Sequence, residues 1–231
     1  MGKQLFLHFF KGILAGLSIG LGGFLYLLMC FLIPGEGGKI LGSVLFAVGL
    51  FLVCTFGLSL YTGKIGLVFE GKKDAAFYWA LPVMIVGNAV GAVGLGYLTY
   101  AIFQGNQAFM DVANGAANSR LVFGKFLDYL STLIKSFLCG FCVYMAVRLF
   151  AKDRLKPLGI LSLVFFVFVF VYCGFQHCIA NMYYFGCASA YANGYAFLNL
   201  MLVILGNSFG PLMGVVIFRL LAPKKAENSG K

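Results

Sequence analysis

The stretch that decides the fold is Gly174-Phe175-Gln176-His177-Cys178-Ile179-Ala180-Asn181-Met182. It lies inside a run from Pro157 to Phe218 that contains no Asp, Glu, Lys or Arg, so His177 is the one readily titratable side chain there. An ionisable group at bilayer depth is costly and by default marks a functional site. Gly174, Gln176 and Asn181 are poor choices for an uninterrupted apolar helix. The stretch therefore predicts a broken helix with a working residue at the break.

The rest of the chain is built for a membrane. It is 61% hydrophobic, 17% aromatic and 10% charged, where a soluble chain carries about 25% charged residues. The charge-free runs Gly12 to Gly35, Ile40 to Gly63 and Ala75 to Met110 are each long enough to cross a bilayer. Phe126 to Val147 is a further span, interrupted by Asp128 and Lys135. The run from Pro157 to Phe218 is too long for one crossing and predicts two, hinged over residues 186–194. The expectation is an all-α integral membrane protein of six spans in a single domain, 1–231, with a cytoplasmic tail at 223–231.

Six spans put both termini on one side. That side collects Lys3, Lys11, Lys64, Lys72, Lys73, Arg148, Lys152, Arg154, Lys156, Arg219, Lys224, Lys225 and Lys231, thirteen in all. The other side and the interior of span four hold four: Lys39, Arg120, Lys125 and Lys135. The positive-inside rule then places both termini in the cytoplasm. The net charge of +10 is a consequence of this topology, and a nucleic-acid partner is excluded because no soluble basic face exists. The first apolar stretch is of full span length, not a cleavable signal. Residues 1–11 spread Lys3, His8 and Lys11 among Leu and Phe, which suits an interfacial helix, either a gate or an inert anchor.

Two motifs repeat. Gly87-Asn88-Ala89-Val90-Gly91 and Gly206-Asn207-Ser208-Phe209-Gly210 share the pattern G-N-x-x-G. Upstream of them lie Thr62, in Gly57-Leu58-Ser59-Leu60-Tyr61-Thr62-Gly63, and His177. Each half of the chain, about 9–110 and about 120–222, thus has a plain helix, a helix with a Gly-rich polar interruption, and a helix bearing the motif. Three spans per half force opposite orientations, and paired interruptions in inverted halves point to a transport site. Irregular backbone survives in lipid only where it is buried in protein or lines a polar cavity, and restarting half-helices present N–H groups to anions. Thr62 and His177 are expected to face one pathway. The glycines of G-N-x-x-G alone fit helix packing. Asn88 and Asn207 serve either as hydrogen-bonded ties between broken segments or as ligand contacts, with the tie favoured.

The seven cysteines lie in or beside apolar spans and read as small hydrophobes. Cys139 and Cys142 have helical spacing but no second pair, which favours packing over a metal or redox site. The competing function class is a membrane-embedded metal or redox enzyme using His177 with cysteines. It lacks a second His at ligand spacing, since the other histidine is His8. No metal, cofactor or catalytic residue is expected.

These motifs resemble the formate/nitrite transporter family over nearly the whole chain. The resemblance is carried by Tyr61-Thr62-Gly63, the two Gly-Asn pairs, the His177 stretch, and Leu138-Cys139-Gly140-Phe141-Cys142-Val143-Tyr144-Met145-Ala146-Val147. It implies an aquaporin-like protomer with inverted 3+3 repeats and broken second and fifth helices, in a homopentamer in the inner (plasma) membrane. It also implies conduction of small monovalent anions: formate, nitrite or hydrosulfide. His177 matches the central pore histidine and Thr62 the loop threonine. Phe46 and Phe170 match an outer apolar constriction, and Leu50, Tyr61 and Val143 an inner one. Lys125 matches the family's lysine near the start of span four, with Lys135 as the alternative. Two departures stand out: Gln176 where the family has Glu, and Gly140 where it has Asn. Both are expected to alter the pore, the second by making room, and together they lean toward hydrosulfide, with formate and nitrite next. The expected mechanism has cations and half-helix ends attract the anion, which His177 then hydrogen-bonds or transiently protonates between the constrictions.

Overall fold

The computed structural model describes residues 2–121, 123–153 and 155–221. Arg154, Lys224, Lys225, Lys231 and the predicted tail lie outside the described residues. Within them every regular element is helical. The order is α1 (Gly2–Leu32), α2 (Glu36–Leu45), α3 (Ala47–Thr55), α4 (Tyr61–Ile65), α5 (Ala75–Phe103), α6 (Gln107–Asn118), α7 (Phe126–Lys152), α8 (Pro157–Tyr172), α9 (Cys178–Cys187), α10 (Gly194–Phe209) and α11 (Pro211–Leu221). Five segments are long and apolar enough to cross a membrane: 2–32, 36–55, 75–103, 126–152 and 194–221. The apolar α8 has 16 residues, or about 24 Å at 1.5 Å per residue, short of a bilayer core until α9 extends it beyond a break.

Local chemistry explains the element ends. Asp74 caps α5 by accepting from the Phe77 N–H at 3.0 Å. The predicted third span, Ala75 to Met110, ends early. The chain turns at Gly105-Asn106, and Asn106 accepts from the Phe109 N–H at 3.1 Å to start α6 separately. α6 then buries Phe109, whose ring stacks on Phe103 with centroids 4.2 Å apart. Residues 2–11 form no separate interfacial helix; they continue into α1. Two further interruptions have no counterpart in the sequence reading, at Phe46 between α2 and α3 and at Gly210-Pro211 between α10 and α11.

The two predicted breaks, by contrast, are present and are built alike. α3 ends with Gly57 at φ +61 and α8 with Gly174 at φ +67, a left-handed conformation that glycine adopts without a Cβ clash. In both, the following N–H reaches back five residues to close the helix: Leu58 to the Val53 carbonyl and Phe175 to the Phe170 carbonyl, each at 2.9 Å. The packing around the breaks also matches. A Cβ on Gly16 of α1 would collide with the Asn88 carbonyl on α5, and one on Gly140 of α7 would lie 2.6 Å from the Asn207 carbonyl on α10. These small residues let helix backbones touch, the usual basis of association where lipid supplies no hydrophobic drive.

Candidate functional site

Each break is braced by the asparagine of the repeated motif, through the same three hydrogen bonds. Asn88 Oδ1 accepts from the Tyr61 N–H at 2.9 Å, while its Nδ2 donates to the Ser59 and Gly12 carbonyls at 2.9 Å each. Asn207 Oδ1 accepts from the Cys178 N–H at 2.9 Å, and its Nδ2 donates to the Gln176 carbonyl at 2.9 Å and the Ser136 carbonyl at 2.8 Å. Both side chains are fully buried. Each thus satisfies the first N–H of the restarting helix, one loop carbonyl and one carbonyl of the neighbouring long helix. With both amide N–H groups engaged, neither asparagine has a donor left for a ligand.

The braces bring Thr62 and His177 together. Thr62 Oγ1 lies 2.9 Å from His177 Nε2, across 115 residues of sequence. His177 is the N-cap of α9, and its Nδ1 accepts from the Ala180 N–H at 3.2 Å. That bond fixes the tautomer: the lone pair is on Nδ1, so the proton is on Nε2 and is donated to Thr62. A second proton on Nδ1 would displace the cap. Tyr61, beside Thr62, bonds Ser208 by its hydroxyl at 2.8 Å.

Above His177 is a cavity of about 400 Å³, bordered by Lys39, Phe46, Arg120, Lys135, Phe170, Gln176 and His177. Phe170 stacks on the imidazole with centroids 5.8 Å apart, and Phe46 meets Phe170 edge-on at 5.7 Å. Both phenylalanines are almost fully buried and border the cavity together with the histidine. Leu50 and Val143 are buried in the same core cluster but do not border this cavity. Lys125 does not border it either; it is the exposed N-cap of α7, its backbone N–H bonded to Asp128 at 2.9 Å. Lys135, further along α7, is the lysine that reaches the cavity. Among the described residues no group of three or more His, Cys, Asp or Glu side chains is placed to hold a metal ion.

A sequence profile described as "Formate/nitrite transporter" matches residues 2–221. The chain belongs to the formate/nitrite transporter family. It is 28% identical to "Uncharacterized transporter YrhG" of Bacillus subtilis (strain 168), over 95% of this chain and 86% of the relative. Among solved structures it is similar to "Pentameric formate channel with formate bound", at a TM-score of 0.79 and 23% identity, covering 95% of this chain and 97% of that one. It is also similar to "FNT family ion channel", at a TM-score of 0.79 and 22% identity, covering 93% and 89%. The chain is a multi-pass membrane transport protein, and its relatives are channels and transporters rather than enzymes.

Within this family fold the two departures have different standing. Gln176 borders the cavity. Gly140 does not; it faces the Asn207 backbone, so its missing side chain frees no space near His177. Gly140→Ala is expected to push α7 from α10 and cost about 1–3 kcal/mol, the usual price of overpacking, read as a lowered unfolding midpoint in detergent. An unchanged midpoint would show that the contact yields freely.

Two participants were not singled out from sequence. Arg120 and Asn199 join Gln176 and Asn181 in one hydrogen-bonded network. The guanidinium also lies over the Tyr184 ring, 4.4 Å from its centroid. Arg120 counted only as one of few cations off the basic side, and Asn199 carried no reading at all. The informative signal was that a charge-free run contains any asparagine besides the motif pair.

Proposed function

We propose that this chain is a channel for small monovalent anions, with formate, nitrite and hydrosulfide as the candidates. The observation that carries it is a neutral, backed histidine, His177 on Thr62, at the floor of a cavity bordered by Lys39, Arg120 and Lys135 and narrowed by Phe46 and Phe170. In this reading α8 and α9 make a sixth span, and the two halves are inverted about the Thr62–His177 contact. The matched asparagine braces support that symmetry. The protomer is one of a homopentamer in the inner (plasma) membrane, with both termini cytoplasmic and the cavity on the opposite face.

The mechanism follows from the cost of moving an anion through an apolar gap. Cavity cations concentrate the anion without a full charge partner. It passes between Phe46 and Phe170 and takes the Nε2–H of His177 in place of Thr62. Leu50, Tyr61 and Val143 then form the inner constriction. Because Nδ1 is committed to the α9 cap, hydrogen-bond donation suits His177 better than lending a proton, which would require an imidazolium and the loss of that cap. The leaning toward hydrosulfide keeps only Gln176 as its basis, since Gly140 is a packing residue.

The test is flux of formate, nitrite and hydrosulfide into proteoliposomes at two pH values. Saturable, protein-dependent entry of at least one anion is expected, and entry no faster than into empty liposomes would end this reading. Phe170→Ala supplies a second measurement. Removing the ring is expected to raise the lactate-to-formate flux ratio several-fold, whereas an unchanged ratio would mean that Phe170 does not set the constriction.

A further inference from the structure

The network around Gln176 fixes the orientation of every amide in it. Arg120 Nε can only donate, and it reaches Asn181 Oδ1 at 2.8 Å, so that atom is the Asn181 oxygen. Asn181 Nδ2 then donates to Asn199 Oδ1 at 2.9 Å and Gln176 Oε1 at 3.0 Å. Asn199 Nδ2 donates to the Arg120 carbonyl, which can only accept, at 2.9 Å, and to Gln176 Oε1 at 2.7 Å. Both asparagine amides are thereby saturated, and Gln176 Oε1 carries two donors.

Two donor groups are left over. Gln176 Nε2 has no acceptor among the described residues, although Gln176 is only 5% exposed. Arg120 uses Nε on Asn181 and Nη1 on the Ala116 carbonyl and Ser119, leaving Nη2 without a partner among the described residues. No carboxylate there pairs with this guanidinium. Gln176 and Arg120 border the same cavity, immediately before His177. A pair of N–H donor groups, one on a nearly buried amide and one on a partly buried guanidinium with an uncompensated positive charge, lacks one thing: an acceptor with negative charge.

We propose that Gln176 Nε2 and Arg120 Nη2, held by Asn181 and Asn199, form an anion-binding site in the cavity, distinct from His177, where a small monovalent anion is held before it passes Phe46 and Phe170. This rests on the anion-channel reading and adds the site that sets affinity. Gln176 is the discriminating position because its amide, unlike a carboxylate, offers N–H donors and leaves the Arg120 charge unopposed.

The experiment compares wild type with Gln176→Glu. That change keeps an oxygen for Asn181 and Asn199 while replacing the free donor by a negative acceptor. Formate flux into proteoliposomes is expected to show a KM raised about tenfold or more, with maximal flux within about twofold. Independently, the thermal midpoint of detergent-solubilised wild type is expected to rise saturably with sodium formate at fixed ionic strength, balanced with gluconate, and that of Gln176→Glu is not. If Gln176→Glu fails to assemble, Arg120→Gln, which keeps a donor toward Asn181, carries the same comparison. A wild-type KM and a wild-type formate-dependent midpoint in the variant overturn the site. Formate-dependent stabilisation without any flux would retain the site and remove the channel reading.

Discussion

Replacing His177 by Phe is expected to lower the flux of all three candidate anions by about 10- to 150-fold. The ring would still stack on Phe170, now 5.8 Å away, so the passage keeps its shape. What disappears is the Nε2–H that donates to Thr62 in the resting protein and to the anion during passage. A hydrogen bond to a charged group contributes about 1.5–3 kcal/mol, which converts to that range of rates. The substitution also removes the Nδ1 cap on the Ala180 N–H, a loss of about 1 kcal/mol in stability. His177→Asn separates the two effects, because asparagine caps a helix well but is too short to place a donor where Nε2 lies. Low flux in both variants, with stability lost only in the Phe variant, is the expected pattern. Wild-type flux and pH dependence in either would mean that the imidazole does not touch the anion.

The second large effect belongs to the braces. Asn207→Leu strands the Cys178 N–H and the Gln176 carbonyl at once and takes a second donor from the Ser136 carbonyl inside α7. Interhelical side-chain hydrogen bonds in membranes average only about 0.6 kcal/mol, because the unfolded chain in the membrane also finds partners. Here the stranded groups belong partly to a break that has no other partners, and each unsatisfied buried group costs about 1–3 kcal/mol. A total destabilisation of about 3 kcal/mol or more is expected, measured as a lowered midpoint in SDS titration. Asn88→Leu strands the matching Tyr61 N–H and Ser59 carbonyl and takes a second donor from the Gly12 carbonyl inside α1, and a similar loss is expected. If one substitution is harmless and the other is not, the two breaks are not braced equivalently.

The apolar segments and the two helix breaks, with Thr62 and His177 at them, were legible in the residues alone, while the end of the third span and the interruptions at Phe46 and Gly210-Pro211 were not. Long uncharged runs belong in the membrane, and the Gly-rich polar interruptions around Gly57 and Gly174 marked where a helix stops, which matches the left-handed φ found at both glycines. His177 stood out because charge is expensive at depth. The sequence could not decide which residues meet across the fold. The sequence favoured Lys125 over Lys135, but Lys125 sits at the exposed start of α7, whereas Lys135, further along the helix, borders the cavity. Gly140 read as a gap in a pore until the Asn207 backbone filled the space beside it. Arg120 was one cation among four, Asn181 was read only as a residue unsuited to an apolar helix, and Asn199 carried no reading. Only when three helices and a loop converge do they become a saturated network with two unused donors facing one cavity. Hydrogen-bond satisfaction is a property of neighbours in space, and a sequence lists only neighbours along the chain.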